Sequence, residues 1–350
     1  MLKIIAYTLV EAEPGQEKPS TGNWTAYLSA RLTRVTTGKL RVNPHLDQVQ
    51  KEIMDWSVEM GLLEINTPQY IAYNQARFSE LCALSLPDVT HETLLANSKL
   101  VQWLFTRDDG LDSTKGTMGT QTGLIRDHDA KLIKIISLKS WKRSAKTATE
   151  KALRKLTKMI TAKKPSKESK ALLVTRYHEY FQGNAVEADY RAKKEAIPID
   201  AYKHTLRPFT SAVQVYEVFT NIIEKTKLTD DELKDVMYRE LSNKAAAIVG
   251  IDNDIVSVEK ERGDDFPENL ILLEMAHNPS LSFEKAFDKT IEYRNQLVTE
   301  FLSIKKYLLH RNEKYEPIIK RLEMLIDGNV EWSCKTSRYA RFPQELLETK

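Results

Sequence analysis

Apolar residues recur three and four positions apart along most of this chain, the spacing that lines up side chains on one face of an α-helix. In NPHLDQVQKEIMDWSVEMGLL, Leu46, Val49, Ile53, Trp56 and Met60 keep that period behind an Asn-Pro turn. Gly is scarce, at 12 of 350 residues, while Leu, Ala, Lys and Glu carry the pattern. An all-α chain is predicted. Its length suits one large domain or two ordinary ones. With no Pro-, Gly- or Ser-rich linker and no internal repeat, we expect a single-domain helical bundle or barrel over residues 1–350, with a short N-terminal segment, 1–40, packing on it.

A helix is predicted from about His91 through LLANSKLVQWLF into TRDDGLDS, ended or loosened by Gly110. TKGTMGTQTGLIRDHDAK, with three Gly among Thr and Asp, reads as a loop or mobile crossing. Helical sequence follows from Ser140 to Thr161, then a solvated turn over Lys163 to Lys170. RPFTSAVQVYEVFTNII should form one helix, with Pro208 in its first turn. Thr229 and Glu232 have capping-box spacing.

Two polar clusters interrupt this pattern. In NDIVSVEKE, Asn253, Ser257 and Glu261 stand four residues apart, and each step of four turns a helix by about 400°, so the three side chains share one stripe. Polar stripes are usually solvated faces. This one, however, continues the apolar run NKAAAIVGI, which suits an interior helix, and buried oxygens need partners that one hard cation can supply together. In FTRDDGLDS, Asp108 and Asp112 share a face and Asp109 lies about 100° around from Asp108. An acidic helix end or Asp-Gly turn is one reading; repulsion relieved by a metal is the other, favoured by the apolar LVQWLF that precedes the cluster. EF-hand spacing is absent.

The net charge of +3 argues against a general polyanion binder, although Lys and Arg crowd Lys131 to Lys170. With Trp141 as its sole interleaved aromatic, that stretch reads as a charged outer face, and a basic helical nucleic-acid-binding protein is the alternative from another class. Cys82 and Cys334 form neither a disulfide framework nor a zinc pattern. No run approaches the roughly 18 apolar residues of a membrane span. MLKIIAYTLVEAE lacks a small-residue cleavage site and reads as part of the mature chain. A cytoplasmic protein is expected.

Together and in this order, the clusters resemble the DDxxD and NDxxSxxxE metal-binding signatures of microbial class I terpene synthases. Arg207 in LRPFTSA lies 253 − 207 = 46 positions before Asn253, where that family carries an arginine that senses diphosphate. Arg338 and Tyr339 in WSCKTSRYA resemble its closing RY pair. NPHLDQVQKEIMDWSVEMGLL and the run from Phe181 to Arg191 extend the resemblance over most of the chain. It implies a helical barrel, three Mg2+ ions (Mn2+ being a compatible substitute), and ionisation and cyclisation of an acyclic isoprenyl diphosphate to a terpene hydrocarbon or alcohol. Farnesyl diphosphate is favoured and geranylgeranyl diphosphate comes second. Asp108, Asp109, Asp112, Asn253, Ser257 and Glu261 would hold metal. Arg207, Lys260, Arg338 and Tyr339 would contact the diphosphate, with Asp108, Arg207, Arg338 and Tyr339 as the catalytic set. Phe105 and Trp332 would face the carbocation. The loop from Lys115 to Lys131 and the tail after Trp332 would order together, and a homodimer is compatible. Two positions depart from the family's usual pattern: Arg107, able to pair with Asp108 or Asp109, and Ser211, where a helix break often has glycine. A chain-elongating isoprenyl diphosphate synthase is the nearest rival, though it would carry a second aspartate-rich motif.

Overall fold

The apolar period becomes helix nearly everywhere it occurs. In a computed structural model, residues 22–111, 119–137, 145–226, 228–263 and 268–347 are described, and no strand occurs among them. The first helices are α1 (Gly22–Ser29), α2 (Leu46–Met60), α3 (Pro68–Ala76), α4 (Phe78–Ser85), α5 (His91–Leu111) and α6 (Thr122–Ile136). Then come α7 (Ala148–Ala162), α8 (Lys167–Lys193) and the single turn α9 (Ile199–Ala201), which runs through a π-helical turn at Tyr202–Leu206 into α10 (Arg207–Thr210). The rest are α11 (Val213–Ile223), α12 (Asp230–Lys234), α13 (Val236–Glu261), α14 (Leu270–His277), α15 (Phe283–Arg311) and α16 (Glu316–Lys335), followed by a 3-10 turn at Ser337–Tyr339. The protein is all-α. Among the described residues no helix is long and apolar enough to cross a membrane.

Helix ends follow local chemistry. Thr67, Thr147, Ser166 and Ser282 each accept a backbone N–H at an N-terminus. The Thr229–Glu232 capping box forms as its spacing predicts. Left-handed Gly61, at φ 75°, closes α2.

The element that organises the interior is α13, buried from Ala245 to Val258 apart from Asn253 and packed on α10, α11, α14, α15 and α16. Its Ala245, Ala246, Ala247 and Gly250 are small enough for neighbouring helices to approach closely. Arg294 of α15 pairs with Asp252 of α13 at 2.7 Å, both fully enclosed. A second buried helix, α5, lies against α2, α4, α7 and α11. At the near end of the described chain, Trp24 meets Phe342 edge-on at 4.6 Å and donates its indole N–H to the Arg341 carbonyl. The preceding residues 1–21 of the expected N-terminal segment lie outside the described residues.

Three expectations need correction. The segment read as a loop to Lys131 becomes helical at Thr122, because Ile125, Asp129, Leu132 and Ile136 point inward on one face and their burial outweighs the glycine at 123. The stretch from Arg207 to Ile223 is two helices, broken at Ser211 and Ala212, the latter left-handed at φ 57°. Within the supposed turn from Lys163 to Lys170, Ser166 caps α8 and helix begins at Lys167. In α7, Ala152, Leu153, Leu156 and Ile160 face inward while Lys151, Lys155 and Lys158 face solvent. Lys155 lies 3.7 Å from Glu59, as suits a charged outer face.

Candidate functional site

The last turns of α5 form one wall. Phe105 and Asp109 are four residues apart and therefore share a face. Asp109 accepts two hydrogen bonds from the Arg338 guanidinium, at 2.5 and 3.1 Å, and one from the Tyr73 hydroxyl at 2.5 Å. Burial pushes the Asp109 carboxyl up, but Arg338, Lys260 and the Tyr73 bond together outweigh it and leave the group at about 2. Asp109, a candidate metal ligand by sequence, is paired here with Arg338. Asp108 lies 3.5 Å from the Tyr180 hydroxyl. Asp112 falls outside the described residues.

Arg107 does not pair with either aspartate. Rotated to the other side of α5, it donates to Asp129 at 2.7 Å and Asn184 at 2.6 Å, beneath the Tyr180 and Phe181 rings. Its buried charge joins α5 to α6 and α8, away from the acidic face.

The second wall is the end of α13. Asn253 accepts a bond from Arg207 at 2.8 Å and donates its amide to the Tyr339 hydroxyl at 2.7 Å. Arg207 also donates to the Gly250 carbonyl at 3.0 Å and pairs with Asp254 at 2.7 Å. Asp254 is held further by the Tyr202 hydroxyl and by the Leu270 backbone N–H. Burial raises its carboxyl to about 6 despite Arg207. Glu261, raised to about 7 chiefly by burial, accepts the Asn269 amide at 2.9 Å. Ser257 Oγ has no hydrogen-bond partner of ordinary geometry, although it lies close enough to Glu261 to favour that carboxylate's charged form.

Polar contacts thus run without interruption from Asp109 through Arg338, Tyr339 and Asn253 to Arg207. Arg338 also lies 3.3 Å from the Tyr339 hydroxyl and stands 5.1 Å from the Phe105 ring centre. Below it, Phe105 stacks on Phe78 at 4.1 Å and lies 5.8 Å from Trp332, whose indole N–H is fixed by the Ala76 carbonyl. Lys260 is close enough for its charge to act on Asp109. On the flank, Arg191 donates to the carbonyls of Leu111 and Gly119 and pairs with Glu268, tying the end of α5 to the segment after α13.

The donor set suits a hard cation: carboxylates at Asp108 and Glu261, an amide oxygen at Asn253 and an unsatisfied buried hydroxyl at Ser257. Among the described residues no three His, Cys, Asp or Glu side chains converge on one point. Sequence reasoning missed Tyr73, Asp254, Tyr202 and Asn269. Asp254 follows Asn253 inside the motif and could have been found; nothing in the sequence marks the two tyrosines or Asn269.

The description "Terpene synthase family 2, C-terminal metal binding" matches residues 99–300. Among characterised proteins, the 4-epi-cubebol synthase of Streptosporangium roseum, described as cyclising (2E,6E)-farnesyl diphosphate, is 24% identical over 85% of this chain and 88% of its own. The 10-epi-cubebol synthase of Sorangium cellulosum is also 24% identical, over 85% of this chain and 94% of its own. Cucumene synthase superposes with a TM-score of 0.71 at 17% identity, covering 86% of this chain and all of its own, 100%. A-eudesmol synthase gives 0.74 at 16%, covering 86% and 98%.

Proposed function

Because this chain belongs to the terpene synthase family and is a class I terpene synthase, a lyase, we propose that it ionises and cyclises an acyclic isoprenyl diphosphate in a magnesium-dependent reaction. Farnesyl diphosphate is the first choice, supported by the activity named for the Streptosporangium roseum relative, and geranylgeranyl diphosphate the second. The observation that carries the reading is the chain of contacts linking Asp109 to Arg207 through Arg338, Tyr339 and Asn253, which sets both motifs around one mouth. In this reading Asp108, Asn253, Ser257 and Glu261 hold the Mg2+ ions, and Asp109 holds Arg338. Mg2+, when bound, supplies positive charge to the departing diphosphate oxygens.

The protein's own groups do the rest. Arg207 and Arg338 stay charged at any working pH, since nearby anions raise both above the usual guanidinium value in spite of burial. Their donors, now directed to Asn253, Asp254 and Asp109, turn to the diphosphate when it enters, and such charge-assisted bonds strengthen as negative charge develops on the leaving group. Tyr339 adds a hydroxyl and Lys260 a further cation. Phe78, Phe105 and Trp332 keep water from the allylic cation and present ring faces to it. The reaction is placed in the cytoplasm.

Purified protein is offered geranyl, farnesyl and geranylgeranyl diphosphate with and without Mg2+. Diphosphate release is followed, and extracts are analysed by gas chromatography. We expect cyclic products from farnesyl diphosphate and a loss of at least about a hundredfold when Asn253, Ser257 and Glu261 are all Ala. Undiminished turnover by that variant, or longer diphosphates when isopentenyl diphosphate is added, would overturn the reading.

A further inference from the structure

The surplus of cations between Lys131 and Lys170 contains no residue of the site and plays no part in the reaction. Fourteen Lys and Arg stand there against Glu150 and Glu168, a net of 14 − 2 = +12 where the whole chain has +3, so the rest of the molecule is acidic. Glu150 is buried and accepts the Lys146 backbone N–H at 2.7 Å, which leaves still less negative charge outside. On α7, Lys151, Arg154, Lys155 and Lys158 recur at three and four residues and form one stripe. Arg154, Lys158 and Thr161 carry that stripe along the rim of a cavity of about 320 Å3, walled by α6, α7, α8 and α11. Leu156, Ile160, Val174, Tyr177 and Phe219 make it apolar, and no acidic side chain lines it. Each of the first three helices places a lysine one turn from a lining residue: Lys134 before Ser137, Lys158 before Thr161 and Lys167 before Lys170. These four lysines are exposed. Lys155 and Lys163, by contrast, have Glu59 and Glu92 beside them, whereas no carboxylate among the described residues pairs with Lys134, Lys167 or Lys170.

Cations gathered on one face repel one another in the free protein and gain from a surface of opposite charge. Nucleic acid and anionic lipid both offer one, and the residues here favour lipid. The exposed cations are lysines, compact charges without the planar fork by which Arg recognises a base, and no exposed Phe, Tyr or Trp among the described residues of α6, α7 and α8 is placed to stack on one. An apolar slot, moreover, suits an acyl chain and has no counterpart on a phosphodiester backbone. We propose that this face docks on the surface of an anionic phospholipid bilayer, with the lysines against lipid phosphates and one acyl chain seated in the groove. Ser137, Thr157 and Thr161 line its polar part and match the level of the headgroups. The contact is peripheral, since among the described residues no helix is long and apolar enough to span a bilayer. It goes beyond the terpene synthase reading and does not depend on it, because the two sets of residues are separate.

The test is sedimentation of the full chain with vesicles of phosphatidylcholine alone and of phosphatidylcholine with about a third phosphatidylglycerol, at low and at high salt. The anionic vesicles should bind at least about tenfold more tightly than the neutral ones, and salt should weaken them. Lys134→Gln, Lys158→Gln, Lys167→Gln and Lys170→Gln combined should cost about fivefold per charge and at least about a hundredfold together. Ala171→Gln, at an exposed position lining the groove, changes no charge but lays an amide across it, and should weaken binding about fivefold. Neither variant should alter diphosphate release from farnesyl diphosphate in free solution. Equal binding to both kinds of vesicle, or binding to neither, overturns the proposal, as does full binding by the folded fourfold variant, its folding judged by thermal melt. Undiminished binding by folded Ala171→Gln overturns the seating of an acyl chain. A random DNA duplex held more tightly than the anionic vesicles overturns lipid as the partner. Should a variant fail to fold, the contrast between vesicles and its salt dependence decide alone. Failure to release diphosphate from any isoprenyl diphosphate would sink the function proposed above and leave vesicle binding as it stands.

Discussion

Gly250 has no side chain because Arg207 occupies the place where one would go: a Cβ there would lie 2.9 Å from Arg207 Cγ and 3.2 Å from Nε. The sequence shows an Arg 46 positions before Asn253, yet nothing in it says that this Arg lies along the preceding turn of α13. Gly250→Ala therefore strikes function and stability together. Helix propensity favours Ala by about 1 kcal/mol, but pushing Arg207 from its buried partner Asp254 outweighs that, so melting temperature should fall. Displacement of Arg207 should lower kcat/KM by at least about tenfold. Steady-state kinetics and a melting curve on the same preparation check this, and unaltered kinetics would show that Arg207 is not held by that contact. Asp109 and Arg107 teach a related lesson. Arg107 was free by sequence to pair with Asp108 or Asp109, but 100° of helix rotation per residue carries it to Asp129, while Asp109 meets Arg338.

Helices here were easier to foresee than their breaks. Where apolar period and caps agree, as at α2 and the Thr229 capping box, spacing was enough. The break at Ala212 follows instead from packing, since α10 is pressed against α8 where Gly183 would place a Cβ 2.7 Å from Thr210 Cγ2. Gly183→Ala should push α10 outward and destabilise the protein by about 1–3 kcal/mol, measured by urea unfolding. It should also weaken diphosphate binding, because α10 begins with Arg207. The capping box gives a pH prediction. The Thr229 backbone N–H, then Asn312 and Lys314, hold Glu232 at about 2 against an ordinary value of 4.5. A lowered folded value means stability that is full above pH 4.5 and is lost as pH falls toward 2. Urea midpoints of the unaltered protein should drop through that window more than those of Glu232→Gln. Parallel drops would refute the assignment.

The described ends of the chain meet: Trp24, 1% exposed, packs on Phe342 and Phe287 and bonds the Arg341 carbonyl. Trp24→Ala should cost about 3–5 kcal/mol in urea unfolding, and it should raise KM, because the segment it braces at Arg341 directly follows Arg338 and Tyr339. An unchanged KM in a folded variant would show that the brace stops short of the site. Composition and periodicity determined that the protein is all-α, that α13 lies in the interior and that both oxygen-rich motifs sit on helices, because helix formation and burial follow from side-chain spacing within a few turns. Only the tertiary structure decided which side chains meet. Tyr73, Asp254, Tyr202 and Asn269 join the site and Arg107 turns away, since contacts between elements far apart in sequence depend on helix rotation and packing angle that local spacing does not encode.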